Sequence, residues 1–239
     1  MKFGINNPAW LQAAGNFKST MPFFYLTSRE DGNTLSFGRT AFSAFDGNVE
    51  YSVNSTEETG WEKLTYESVI DLNAGDTVYF RNYTGVKFDG YFANIVNATK
   101  LFDAGGDLVG LFYPDRILPK NAFQYAFTNQ DNIVSAKKLI LEAESLSPGC
   151  FAGMFLECDN LEEAPTLSSR ILVDECYERM FESCPKLSAI TCLATDISAR
   201  ECTSLWVSGV SSIGTFTKSA DMNDWPIGYN GIPDGWTVQ

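Results

Sequence analysis

The chain has 239 residues, with 17 Lys and Arg against 30 Asp and Glu, a net charge of −13 and no histidine. With 44% hydrophobic residues it can pack a core, and its length predicts one large or two modest domains rather than a disordered chain. The acidic balance argues against nucleic acid and anionic membrane surfaces as partners, and the missing imidazole excludes histidine-based triads and histidine-ligated zinc while leaving carboxylate pairs open.

Residues 1–20, MKFGINNPAWLQAAGNFKST, do not read as a secretory signal, because Asn6, Asn7, Pro8, Gln12, Gly15 and Asn16 interrupt the apolar residues. Nowhere is there an apolar run of about 18 residues, so no membrane span is expected. The expectation is a protein that stays in the cytoplasm where it is made or leaves by a route that reads no signal peptide. The segment reads as an arm ahead of the first domain. It is either a partly disordered terminus or a docking arm anchored by Phe3, Ile5, Trp10 and Leu11.

Residues 21–100 read as a β-sandwich. Phe23–Thr27 and Thr34–Phe37 flank Glu30-Asp31-Gly32-Asn33, the pattern of a hairpin with a glycine-containing loop. Val49, Tyr51 and Val53 alternate with polar neighbours, as in a strand with one wet face. Ser68–Leu72 and Asp76–Phe80 flank the turn Asn73-Ala74-Gly75. Asp31 and Asp76 sit beside glycines and are expected to form turns rather than to do acid/base work. Asp103 and Asp107, around Ala104-Gly105-Gly106, are expected in a solvated loop rather than at a calcium ion.

Residues 101–239 carry an internal repeat. Leu146, Cys150, Phe151, Met154, Phe155, Cys158 and Leu161 recur 26 residues later as Leu172, Cys176, Tyr177, Met180, Phe181, Cys184 and Leu187. Upstream, Leu118, Phe123, Ala126, Phe127, Ile133 and Ala136 precede their counterparts by 28 residues. Downstream, Cys202, Trp206, Val207, Ile213 and Phe216 continue the series in degraded form. A period in the twenties implies units that stack only on their neighbours. Within a unit, apolar residues at i, i+1, i+4, i+5 and i+8 predict one face of a short helix, followed by a short strand near Ala164 or Ile190. The degraded last copy reads as a C-terminal cap.

These copies, with Leu193-Ala194-Thr195-Asp196-Ile197-Ser198-Ala199 and the ending Ile232-Pro233-Asp234-Gly235-Trp236-Thr237-Val238, resemble the BspA-like leucine-rich repeat proteins of gut Bacteroidales and their phages. Glu50-Tyr51-Ser52, Trp61 and Leu72–Arg81 are similar to the β-domain that often precedes those repeats. The resemblance implies an α+β fold, an N-terminal β-sandwich followed by a short leucine-rich-repeat-like α/β solenoid, and a scaffold for binding rather than an enzyme.

Of the remaining side chains, Cys150, Cys158, Cys176 and Cys184 fall on the expected buried face, with Cys192 and Cys202 flanking the last unit. Free buried thiols are the expectation, ahead of disulfides, zinc or a reactive nucleophile. Trp206, Trp225 and Trp236 are expected as core plugs rather than a carbohydrate platform. Asp221, Asn223 and Asp224 lack EF-hand spacing and read as a solvated loop. No catalytic, cofactor or metal residues are expected. The function expected is that of a non-enzymatic virion component, a capsid decoration, head-fibre or tail-associated protein assembled in the host cytoplasm. Its partners would be other virion proteins or a host surface protein or glycan, and it would assemble as a homo-oligomer. The alternative is a bacterial cell-surface adhesin. A glycosidase built on carboxylates is the third and weakest reading.

Overall fold

The computed structural model describes residues 23–37, 48–88 and 93–239. The candidate arm residues Phe3, Ile5, Trp10 and Leu11 lie outside them. The described chain is β-rich, with a large mixed sheet. Its strands are β1 (Phe24–Ser28), β2 (Asn33–Ser36), β3 (Val49–Val53), β4 (Glu62–Lys63), β5 (Ile70–Leu72), β6 (Thr77–Asn82), β7 (Asn97–Ala98) and β8 (Phe102–Asp107), followed by helix α1 (Leu108–Phe112). Then come β9 (Ile133–Ile140), β10 (Glu163–Leu167), β11 (Ala189–Cys192), β12 (Thr215–Lys218) and β13 (Thr237–Val238).

Ten strands form one sheet in the order β13-β12-β11-β10-β9-β8-β1-β6-β3-β4, and β5-β2-β7 form a second. From β4 to β8 the large sheet is antiparallel. From β8 to β13 it is parallel. Strand β8 therefore carries the change of direction. The two sheets bury Phe24, Leu26, Val78 and Phe80 on one side and Leu35, Ile70 and Leu72 on the other in a single apolar cluster that continues through the repeats.

The expected hairpin does not form: β1 pairs with β6 and β8, whereas β2 pairs with β5 and β7. The chain crosses between sheets at this point. The Asn33 side chain donates to Ser28 Oγ at 3.1 Å and accepts from the Lys100 N–H at 3.0 Å, and the Arg29 N–H donates to the Leu101 carbonyl. These bonds fold the segment over the start of β8 instead of back onto β1. Asp31 and Asp76 form turns as expected. Asp31 accepts from the Ala74 N–H at 3.0 Å, and Asp76 accepts from the Asn73 N–H at 2.8 Å and the Asn54 amide at 2.6 Å. In β3, Val49 is buried, but the expected alternation fails at the strand end, where Ser52 is buried and Val53 exposed.

Asp103 to Asp107 is not a solvated loop. It is the body of β8, the central strand, and its glycines make this possible. Gly106 has φ of +75°, and a Cβ there would lie 1.8 Å from the Phe23 carbonyl oxygen, so no other residue fits so close to β1.

The short helices expected in each repeat are absent too. Among the described residues α1 is the only helix, and it precedes the repeats. The repeat segments are chains of turns whose backbone N–H groups alternate between two partners. Ala126, Met154 and Met180 donate three residues back, to Phe123, Phe151 and Tyr177. Their successors Phe127, Phe155 and Phe181 donate instead to Met154, Met180 and Trp206 in the next segment, at 2.8, 2.9 and 2.9 Å. Every fourth residue takes a positive φ, as at Gly149, Gly153 and Glu157 and again at Glu175, Arg179 and Ser183. A left-handed residue at every fourth position breaks an α-helix. It also turns alternate N–H groups sideways, where they bridge successive segments.

Strands and turn segments share one register. Ser135, Glu163, Ala189, Thr215 and Thr237 pair in series across β9 to β13. Rings form two columns at the same spacing. Phe123, Phe151 and Tyr177 make one, and Phe127, Phe155 and Phe181 the other, with successive centroids 5.4–6.2 Å apart. The columns end on Trp206, which stacks on Trp225 at 5.6 Å. The degraded copy departs from expectation at Ile213, which is 73% exposed although its counterparts Leu161 and Leu187 are fully buried.

Candidate functional site

Two concavities of the described surface are lined by side chains with chemistry. The larger, about 650 Å³, lies where β1, β6 and the end of β8 meet α1. Phe23, Phe24, Phe80 and Leu111 give it an apolar floor, and its cations are each held by a carboxylate. Arg81 donates twice to Glu50, at 2.9 and 2.7 Å, while its guanidinium lies 4.2 Å from the Trp61 ring. Phe23 meets the same Trp61 edge-on at 5.1 Å. Asp107 caps α1 by accepting from the Gly110 N–H at 2.9 Å and also takes Arg116, and Lys87 reaches Asp115 at 3.0 Å. Paired in this way, the charged groups of the cleft maintain the fold around it.

The second concavity is a recess of about 220 Å³ on the outer face of the large sheet, where antiparallel strands give way to parallel ones. Strand alternation directs Tyr25 and Thr27 of β1 and Asp103 and Gly105 of β8 to this face. A Cβ on Gly105 would lie 2.4 Å from Tyr25 Cζ and Oη and 2.7 Å from Cε2. Two ring atoms and the hydroxyl oxygen so close to one point mean that the hydroxyl end of the ring lies over the glycine. Tyr79 packs beside it, with centroids 5.8 Å apart.

On the far side of Gly105 the register slips. Asp103 pairs with Ser135 but Gly105 with Lys138, so β9 carries one extra residue between these pairs, as it does between the Phe102–Ile133 and Asp103–Ser135 pairs. The bulge breaks the alternation and leaves both Lys137 and Lys138 exposed. Around the recess, Arg29 donates to Asp103 at 2.9 Å, and Glu163 accepts from Lys137 and from Ser135, each at 2.9 Å. The Lys137 hydrogen bond holds the Glu163 carboxyl below its ordinary pKa, and the same bond raises the Lys137 ammonium. Burial, followed by the neighbouring Tyr79 and Asp103, pushes the Tyr25 hydroxyl up, so it remains a neutral donor.

The residues singled out in the sequence fall elsewhere. All six cysteines are free and buried. Burial raises the thiols of Cys150 and Cys192 to about 12, which removes them as nucleophiles near neutral pH. Cys158 and Cys184 donate to the carbonyls of Phe127 and Phe155, each at 3.0 Å. Trp206, Trp225 and Trp236 are buried core plugs, and the indoles of Trp206 and Trp236 donate to Gly231 and Ser211. Asp221 lies in an exposed loop and pairs with Arg170 at 2.7 Å. Among the described residues there is no group of three or more Cys, Asp and Glu suited to a metal, and no helix long and apolar enough to cross a membrane.

Sequence reasoning missed Tyr25, Gly105, Lys138 and Glu163 as neighbours. The sequence marks Tyr25 and Thr27 only as part of a strand-like run, and nothing in the chain joins them to Glu163. Comparison with known proteins found no matching family model, no matching curated protein and no matching solved structure.

Proposed function

We propose that this chain is a non-enzymatic structural and binding protein, a phage virion component in which a leucine-rich-repeat-like solenoid of stacked units is carried on a β-rich base. The observation that carries this reading is the backbone ladder between turn segments, in which Phe127, Phe155 and Phe181 each donate to the next unit. Such a ladder makes a stiff array with a regular outer surface, suited to display. Two further features support a structural role. The thiols are buried, and the charged groups of the larger cleft are committed to one another. The net charge of −13 suits a module that does not adhere to packaged nucleic acid. Its partners in this reading are other virion proteins, through a capsid-decoration, head-fibre or tail-associated position, and it assembles as a homo-oligomer.

The test is mass spectrometry of purified particles from a phage carrying the gene. The chain should be recovered in fixed ratio to the capsid protein, and removal of residues 1–20 should abolish its incorporation. Recovery in a bacterial outer-membrane fraction, with none in particles, would overturn the virion reading in favour of a surface adhesin. The adhesin reading draws its support from the recess on the sheet face, which has the form of a small ligand site.

A further inference from the structure

We propose that the recess between β1, β8, β9 and β10 is a binding site for a single pyranose ring, with the flat face of Tyr25 carrying the sugar's C–H face and Asp103, Ser135, Lys138 and Glu163 meeting its hydroxyls. This rests on the binding half of the function proposed above and is independent of where the protein resides.

The first argument is the placement of Tyr25. Gly105 has no positive φ, so its backbone would accept alanine, and what excludes a side chain there is the Tyr25 ring. The ring lies over the backbone of Gly105, stays partly exposed and lines the concavity. An aromatic face of this kind is a surface for an amphipathic ring.

The second is the β9 bulge opposite Gly105, which leaves consecutive lysines at the rim. Bulges recur where a sheet redirects a side chain beside a functional site.

The third is the charge pattern. The ion pairs Arg29–Asp103 and Lys137–Glu163 nearly neutralise the recess but remain half-exposed. The result is a dense mixture of donors and acceptors with little net field, which suits a ligand with many hydroxyls better than a polyanion. The size agrees: about 220 Å³ is below the roughly 300–1,000 Å³ of pockets for drug-sized ligands, which suits a single ring.

The test uses the full chain and saturation-transfer NMR with methyl glycosides of glucose, galactose, mannose and N-acetylglucosamine. At least one should bind saturably at millimolar concentration. Tyr25→Ala should weaken it at least tenfold and Tyr25→Phe should not. Gly105→Ala, which keeps the tyrosine but lifts its ring, should weaken it as Tyr25→Ala does. Lys138→Gln alters only an exposed side chain and should weaken binding severalfold, which keeps the test decisive if the other variants fold poorly. An oligosaccharide of the same sugar should bind with the same affinity per ring. No saturable binding by any glycoside, indifference to Tyr25→Ala and Lys138→Gln, or binding of the oligosaccharide alone would each overturn the proposal. Particle incorporation is a separate readout: a chain found in particles that binds no sugar defeats this inference and leaves the virion reading standing.

Discussion

The rings of Phe127 and Phe155 lie face to face, 5.4 Å between centroids and 3° from parallel, although they are 28 residues apart in the chain. Phe181 continues the stack on Phe155 at 5.7 Å and 13°. The backbone bonds from Phe127 to Met154 and from Phe155 to Met180 fix this geometry, because they hold successive segments at one spacing and in one register. A ring at the same place in each unit can then only meet its own counterpart. Repetition in the sequence thus becomes a column in space, and each ring in the interior of the column has two partners.

Phe155 is fully buried between two such partners. Phe155→Ala should cost about 3–5 kcal/mol, the range for deleting a buried phenyl ring into a site that cannot collapse. In a chain of this size that corresponds to a fall in Tm of about 6–20 °C, read by calorimetry. A fall below about 3 °C would mean that the stacked units do not depend on the column.

The left-handed positions make a prediction of opposite sign at two sites in one unit. Gly153 has φ of +58°, and a Cβ there would lie 2.3 Å from the Tyr125 ring, so Gly153→Ala adds a clash to the strain of a left-handed residue. It should destabilise by about 1–3 kcal/mol. Glu157 has nearly the same φ, +59°, but is exposed. There, Glu157→Gly relieves about 1–2 kcal/mol of left-handed strain against about 0.5–1 kcal/mol of added chain entropy, so it should be neutral or stabilising. Urea denaturation of the two variants checks the pair of signs.

The repeat, its offsets of 28 and 26 and the identity of its core residues were legible in the sequence, because each unit must fill the same interior space as its neighbours. Its local structure was misread. Cys150, Met154 and Cys158 recur at four-residue intervals, as do Phe151 and Phe155, and this is the period of the turns rather than the 3.6 of a helix. The strict period of four was the available signal. The failure at Ile213 has another cause. Beyond Trp206 the chain closes the end of the stack, so conserving the spacing no longer places a residue in the core. The hairpin between β1 and β2 was misassigned because a turn motif specifies a reversal but not which sheet the chain re-enters, and bonds from Asn33 to Ser28 and Lys100 decide that. The recess was invisible for a similar reason: Tyr25 and Glu163 line one recess only because β8 and β9 join their strands side by side.

The buried thiols predict loss of stability in alkali. In the unfolded chain a thiol ionises near 9.0, whereas burial raises Cys150 and Cys192 to about 12 in the folded chain. Between those values the unfolded state has released protons that the folded state retains. Stability therefore falls as pH rises through this window, and the contribution is fully present below pH 9. Thermal unfolding at pH 7, 9 and 10.5 should show a small drop over the first interval and a larger one over the second. Cys192→Ala should flatten the second drop. In the same buffers a thiol reagent should label none of the six cysteines of the native chain near pH 8 and all six in denaturant. Rapid labelling of the native protein would contradict the burial on which the argument rests.

Two stacked tryptophans distinguish a satisfied indole from an unsatisfied one. Trp206 donates to the Gly231 carbonyl at 2.8 Å, whereas the buried N–H of Trp225, 5.6 Å away between ring centroids, has no partner, the one such side chain among the described residues. Replacing either by phenylalanine removes ring volume and an N–H, but the consequences differ. Trp206→Phe leaves the Gly231 carbonyl unpaired in the core, which adds about 1–3 kcal/mol to the loss of packing. Trp225→Phe removes a group already carrying a desolvation cost of about 1–3 kcal/mol, which offsets the packing it loses. Trp206→Phe should therefore be the more destabilising by about 2 kcal/mol or more, and Trp225→Phe should lie within about 1 kcal/mol of the parent chain. Equilibrium denaturation followed by circular dichroism, which does not depend on the fluorescence of the residues replaced, gives both values. Equal losses in the two variants would mean that the Gly231 bond contributes nothing and that ring volume alone holds this end of the stack.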